Sequence, residues 1–73
     1  MRKADEIAFY DAVRRARAQN DSSFVDAIAV QHGFNEKQAM AWVDKWDRKG
    51  WWDYGVSLRS GWFTPEAPTE LTP

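Results

Sequence analysis

The sequence has no cysteine, and His32 is the one histidine among its 73 residues. Without cysteine, neither a disulfide nor a thiolate metal site can hold the fold. One histidine is also too few for a zinc site of ordinary ligand count. We therefore expect a fold that is stabilised by its core alone and that carries no cofactor.

Long apolar runs and catalytic motifs are missing as well. No run approaches the ~20 residues of a membrane span, and the N-terminus lacks the apolar segment of a signal peptide. We expect a cytoplasmic protein that has no membrane partner. The sequence shows no paired carboxylates, glycine-rich phosphate loop or nucleophile pattern, so we expect neither an enzyme nor a small-molecule substrate.

Positive charge is scarce, since the formal net charge is −1. Residues 1–64 contain all ten Lys and Arg and nine of the eleven Asp and Glu, so this part of the chain carries +1. DNA-binding domains are usually clearly basic. Contact with nucleic acid would therefore depend on where the few cations lie.

Aromatic residues are abundant, with five Trp, four Phe and two Tyr. A chain of this length buries only about 60% of the surface that it exposes when unfolded. Each aromatic side chain can bury ~150–250 Å², so these rings can supply the core of one small domain.

The spacing of apolar residues predicts two helices in the first half of the chain. The first spans residues 5–19, and its inner face at 3.6-residue spacing consists of Phe9, Ala12, Val13 and Ala16. The second begins at Ser23, where a hydroxyl followed three residues later by Asp26 forms a variant of the capping box. Its inner face is predicted to consist of Phe24, Ala27 and Ile28. Gly33 suits the left-handed conformation that often ends a helix.

A third helix and a hairpin follow. The helix spans residues 35–49, with Asn35 as the N-cap and Gln38 as its reciprocal partner, and its predicted buried residues are Ala39, Trp42, Val43 and Trp46. Aromatic runs at 51–54 and 61–64 predict two strands. The segment 65–73 contains three prolines, and we expect it to be a disordered tail.

Five segments between Phe24 and Glu66 follow a shared pattern. They are Ile28-Ala29, Gly33-Phe34-Asn35, Trp42-Val43-Asp44-Lys45-Trp46, Arg48-Lys49-Gly50-Trp51-Trp52 and Gly61-Trp62-Phe63-Thr64-Pro65-Glu66. In these segments the chain resembles the winged helix-turn-helix regulators of the MarR type. The long additional helices through which MarR-type proteins dimerise are missing. The resemblance implies an α+β fold at residues 1–64, with three helices followed by a two-stranded β-hairpin wing.

The resemblance also implies a small bacterial or phage transcriptional regulator that binds double-stranded DNA. Its recognition helix would be residues 35–49, placed in the major groove, and its wing residues 51–64. The candidate contacts on the helix are Asn35, Lys37, Gln38, Ala41 and Lys45. Those at the wing tip are Ser57, Arg59 and Ser60, which suit the minor groove or phosphate.

Each of these assignments has an alternative that needs no DNA. Asn35 and Gln38 can simply cap the helix, and Lys37 and Arg59 can be ordinary exposed side chains. The chain would then be a winged helix module for protein–protein interaction, which its near-neutral charge favours. A homodimer or a protein partner could form through the wing tryptophans or the first helix.

The roles of the wing tryptophans and of the arginines on the first helix remain open. Trp51 and Trp52 alternate along a strand, so at least one should point away from the core beneath the hairpin. An exposed wing tryptophan can stack on single-stranded bases or enter a protein interface. The cluster Arg14, Arg15 and Arg17 spreads around more than half of the first helix, and we expect that it cannot face one surface.

Overall fold

The computed structural model describes residues 3–73 and contains three helices followed by a two-stranded antiparallel hairpin. The helices are α1 (Lys3–Ala18), α2 (Val25–Gln31) and α3 (Glu36–Arg48), and the strands are β1 (Trp52–Asp53) and β2 (Trp62–Phe63). A short 3₁₀ turn, Leu58–Ser60, lies between the strands. The predicted α+β order is confirmed, and it is compatible with a winged helix-turn-helix. The first two residues of the predicted domain lie outside the described residues.

Helix α1 has the predicted inner face. Phe9 and Val13 are fully buried, and Ala12 and Ala16 pack against the core at its edge. The helix ends at Ala18, one residue before its predicted end. Asn20 in the following turn adopts a positive φ of 61°, a conformation that asparagine tolerates better than most residues.

Helix α2 begins later than predicted, and the assignment of Ser23 as its N-cap is wrong. The Ser23 hydroxyl donates a hydrogen bond to Asp21 Oδ1 (2.6 Å), and the Ser23 amide donates to the same oxygen (2.9 Å). Phe24 takes the N-cap position without a side-chain cap. The local turn formed by Asp21 competes for the hydroxyl that the helix would have used.

The inner face of α2 shifts accordingly. It consists of Val25, Ile28 and Ala29, whereas Phe24 is 52% exposed. Ala27, also predicted to face inward, is exposed. Only Ile28 of the predicted inner face is buried.

Helix α3 agrees with its prediction. Asn35 Oδ1 accepts a hydrogen bond from the Gln38 amide (3.0 Å), and the four predicted core residues of this helix are all buried. Gly33 and Gly50, which flank the helix, both have φ near +80°. Glycine suits these two turns because a side chain is strained at such angles.

The hairpin is held tightly at its closed end. Trp52 pairs with Phe63 and Asp53 with Trp62, so the strands are shorter than predicted. The buried Trp52 indole donates from Nε1 to the Leu58 carbonyl (2.9 Å). Gly61 lies directly beside this indole, so a Cβ at that position would overlap Trp52 Nε1.

The aromatic rings meet around Trp46, which is fully buried. The centre of its ring lies 5.7 Å from that of Phe9 and 5.0 Å from that of Tyr10, both on α1. The ring centres of Trp52 and Phe63, on the two strands, lie 6.3 Å and 5.8 Å away. One side chain of α3 thus joins α1 to the hairpin. Aromatic pairs in this distance range contribute about 0.5–1.5 kcal/mol each beyond the burial of their surface.

Residues 65–73 contain no helix or strand. They nevertheless follow α1, because the Tyr10 hydroxyl donates a hydrogen bond to the Pro68 carbonyl and Leu71 packs against the core. These contacts give the segment a defined path, and its disorder in solution stays a prediction.

We expect Gly61→Ala to destabilise the protein and Gly55→Ala to leave it nearly unchanged. The new methyl at position 61 would collide with Trp52 Nε1 and the Asp53 carbonyl, whereas one at position 55 meets nothing within 4 Å. Overpacking of this kind costs about 1–3 kcal/mol. Denaturant unfolding of both variants measures the difference, and equal stabilities would contradict the close approach at Gly61.

Candidate nucleic-acid interface

The solvent-exposed face of α3 is the surface on which most of the predicted DNA contacts lie. Opposite its four buried residues, the helix presents Lys37, Ala41, Asp44 and Arg48, which we call the outer face of α3. No large apolar side chain is among them, and Ala41 at the centre leaves the backbone accessible. Gln38 and Lys45, two turns apart, lie along one edge of this face.

The side chain of Asn35 caps the N-terminus of α3, whereas the side chain of Gln38 takes no part in the cap. The Asn35 carboxamide oxygen accepts from the Gln38 amide, so this side chain has a structural role. The reciprocal hydrogen bond from the Gln38 side chain, predicted from the capping box, is not formed among residues 3–73. The Gln38 carboxamide therefore remains available to an external partner.

Lys45, a predicted base contact, is held by a buried carboxylate of α1. Its Nζ lies 2.9 Å from Glu6 Oε1, and Trp46 Nε1 donates to Glu6 Oε2 at 3.1 Å. Lys3 approaches the same carboxylate at 3.7 Å. Because Glu6 is buried, removing Lys45 would leave a poorly compensated charge inside the protein. The ammonium group thus supports the fold at the edge of the outer face.

The balance of these contacts sets the protonation of Glu6. Burial by itself raises the pKa of the Glu6 carboxyl, but the hydrogen bonds from Lys45 and Trp46 and the charges of Lys45 and Lys3 outweigh it. The net result is a pKa below the ordinary value of 4.5. Glu6 is therefore a carboxylate at neutral pH, which keeps Lys45 in place.

The predicted wing-tip residues fold back against α2. Arg59 Nε lies 2.8 Å from Asp26 Oδ2, and Ser57 Oγ accepts from the Arg59 amide (3.2 Å). The Ser60 hydroxyl donates to the Ser57 carbonyl (3.1 Å). Both serines thus stabilise the 3₁₀ turn itself. The structure brings Arg59 beside the first turn of α2, which the sequence did not indicate.

Cations on this side of the molecule are mostly paired. Arg48 lies 2.6 Å from Asp44 within α3, and Arg59 and Lys45 have the partners described above. Among the predicted basic contacts, Lys37 alone has no carboxylate within ion-pair distance in the described part of the chain. The outer face of α3 is therefore polar but close to neutral.

A second surface, missed by the sequence prediction, is a groove between α1 and β2. Its volume is about 540 Å³, and its lining includes Arg14, Arg15, Arg17 and Trp62. The expectation that the three arginines cannot face one surface is wrong. Besides α1, the groove is lined by β2 and by Thr64, Pro65 and Thr69, which follow it. The dense arginine cluster was the feature of the sequence that could have indicated this groove. Helical spacing alone predicted that the three side chains would not share one surface.

Comparison of the chain with known protein families, with curated proteins and with solved structures gives no match. Within residues 3–73, no helix has both the length and the apolar character needed to cross a membrane.

We expect Glu6→Gln to lower the free energy of unfolding at neutral pH by about 1.5–3 kcal/mol, the range for a hydrogen bond to a charged group. Because the pKa of Glu6 is lowered in the folded state, its stabilising contribution is full above the ordinary pKa. It disappears as the pH falls through the lower folded value. The difference between wild type and variant should accordingly shrink on acidification.

Denaturant unfolding at several pH values between about 7 and about 3 measures this difference. Glu36→Gln is the matched control, since Glu36 is exposed on α3 and should change stability little. A Glu6→Gln difference that stays constant with pH would contradict the assigned role of the carboxylate.

Proposed function

We propose that the chain is a winged helix-turn-helix protein that binds double-stranded DNA and regulates transcription. In this proposal α3 enters the major groove and the turn at 57–60 acts as the wing. The observation that carries it is the outer face of α3, which is exposed, polar and small at its centre. The tight turn at Gly33 and the buried side of α3 hold this face in a fixed orientation.

The outer face has the dimensions and chemistry for major-groove contact. Thirteen residues of α-helix extend about 20 Å, and a groove about 12 Å wide admits one helix. Lys37 can reach the O6 and N7 atoms of guanine, and Gln38 can pair with the N6 and N7 of adenine. Ala41 allows close approach and offers a methyl contact to thymine.

The ion pairs divide the cations into available and unavailable ones. Arg59 and Asp26 are both partly exposed, and an exposed pair is worth only about 0–1 kcal/mol. Arg59 can therefore exchange Asp26 for a phosphate at small cost. Lys45 cannot leave Glu6 as cheaply, so we place Lys37, Gln38, Ala41 and Arg59 in the interface and assign Lys45 to the fold.

A protein-interaction module is the second candidate, and exposed apolar side chains favour it. Phe24 and Val30 on α2 and Tyr54 and Val56 on the hairpin are exposed. In this alternative the fold presents these residues to a protein partner or to a second copy. These residues belong to two elements, whereas Lys37, Gln38 and Ala41 all belong to α3, so DNA binding is the better-supported function.

We expect the protein to bind duplex DNA weakly and with a modest salt dependence. Neutralisation of about two phosphate charges, by Arg59 and by Lys37 in the groove, would give a slope of about −1.8 in the logarithmic salt plot. The affinity should then fall about tenfold from about 50 mM to about 200 mM salt. Fluorescence anisotropy with a labelled random duplex measures both quantities.

Substitutions on α3 and at the 3₁₀ turn test where the duplex binds. Lys37→Ala and Arg59→Ala should each weaken duplex binding several-fold, because each removes a cation placed against DNA. Arg15→Ala on α1 is the control and should bind duplex like the wild type. Unchanged affinity in both Lys37→Ala and Arg59→Ala would contradict the proposed placement and favour the protein-interaction module.

A further inference from the structure

The groove between α1 and β2 concentrates positive charge in a protein that has little of it. Arg14, Arg15 and Arg17 all line it, and Asp11 is the acidic side chain in the same lining. The groove therefore carries a local excess of positive charge, whereas the outer face of α3 is nearly neutral. An anionic occupant complements this surface.

Arg17 lines the groove and is held in place by hydrogen bonds to the fold. Its side chain is almost wholly buried, with the residue 6% exposed. Nε donates to the Gly61 carbonyl (2.9 Å) and Nη1 to the Asp21 carbonyl (2.6 Å). Nη2 is buried and has no hydrogen-bond partner among the described residues.

Arg17 also fixes an aromatic surface beside these charges. Its guanidinium carbon lies 5.1 Å from the centre of the Trp62 ring and 5.7 Å from that of Trp52. Trp62 remains 39% exposed, so part of its indole is open to a ligand while Arg17 supports the ring. Arg14 is similarly placed over Phe63, at 4.9 Å.

Arg15 supplies a cation that can move to a ligand. It is paired with Asp11 at 2.9 Å, and its side chain is 77% exposed. Such surface pairs contribute about 0–1 kcal/mol. Arg15 can thus exchange Asp11 for a phosphate oxygen without harm to the fold.

We propose that this groove binds a short segment of single-stranded DNA. One base would stack on the exposed part of Trp62, and the adjacent phosphates would contact Arg14 and Arg15. Proteins that bind single strands combine a positively charged groove with aromatic stacking surfaces, and this groove provides both. An acidic peptide would satisfy the charges but leave the indole without a flat partner, so the single strand fits better.

This site is separate from the proposed duplex interface and does not depend on it. The groove lies between α1 and β2, whereas the duplex interface lies on α3 and the 3₁₀ turn. Single-strand and duplex binding should therefore respond to different substitutions, and either can fail while the other holds.

The test is fluorescence anisotropy of the full chain with a labelled ten-nucleotide oligothymidine at low salt. Trp62→Ala should weaken binding about tenfold, the value of roughly one lost base stack. Trp62→Phe, which keeps an aromatic face, should lose less. Arg15→Ala should weaken binding several-fold and lower its salt dependence.

Arg48→Ala is the matched control for Arg15→Ala. Arg48 is also paired with an aspartate one helical turn away and is 78% exposed, but it lies on α3. It should leave oligothymidine binding unchanged, as should Lys37→Ala. Circular dichroism shows whether each variant retains the helices, and Trp62→Phe and Arg15→Ala decide the outcome if Trp62→Ala does not fold.

Three results would overturn the proposal. The first is no binding of oligothymidine by the wild type at low salt. The second is an equal affinity of the wild type, Trp62→Phe and Arg15→Ala. The third is displacement of the oligonucleotide by an equal concentration of oligoglutamate, which would assign the groove to an acidic peptide.

Discussion

The buried indole of Trp46 is the contact on which the rest of the fold depends. It touches rings from α1 and from both strands, so it joins the helices to the hairpin. Burying an indole also buries its N–H group, which must be hydrogen-bonded. Glu6 accepts this hydrogen bond, and the buried carboxylate in turn requires a cation. Lys45 supplies the cation. The packing of the core therefore fixes the position of a charged side chain at the edge of the outer face of α3.

A second buried polar group, Arg17, holds the other side of the hairpin. Its hydrogen bond to the Gly61 carbonyl ties α1 to the start of β2, just where Gly61 must remain small beside Trp52. Lys45 and Arg17 thus have related roles, since each links α1 to a neighbouring element. They differ in one respect. The Lys45 ammonium is paired with the Glu6 carboxylate, whereas Arg17 Nη2 is buried and has no hydrogen-bond partner within residues 3–73.

The sequence predicted those features that depend on local chemistry. The buried side of α3 followed from 3.6-residue spacing, and its ends followed from Asn35 and Gly50. The predicted start of α2 was wrong because Asp21 accepts the hydrogen bond of the Ser23 hydroxyl. A turn at Asp21 and a helix cap at Ser23 are of similar strength, and residue types alone do not show which of them forms. The partners of Lys45, Arg59 and Arg17 were beyond prediction for another reason. They lie on elements far apart in the chain, and their pairing depends on how those elements pack.

Net charge is a poor guide to the surfaces of this protein, because its cations have unequal freedom. Lys45 and Arg17 are bound to groups of the fold, so they add to the charge count without being free to move to a ligand. Arg15, Arg48 and Arg59 are paired with exposed or partly exposed carboxylates, and an anion can replace those partners. The positive charge that each surface can offer to a ligand therefore depends on which of its ion pairs can open.

The two surfaces differ in this respect. On α3 and the 3₁₀ turn a few cations surround a nearly neutral face, which suits binding whose specificity comes from base edges more than from phosphate attraction. Along α1 the arginines converge beside an open indole, which suits stacking combined with charge. Two surfaces with different requirements can thus exist on one near-neutral domain.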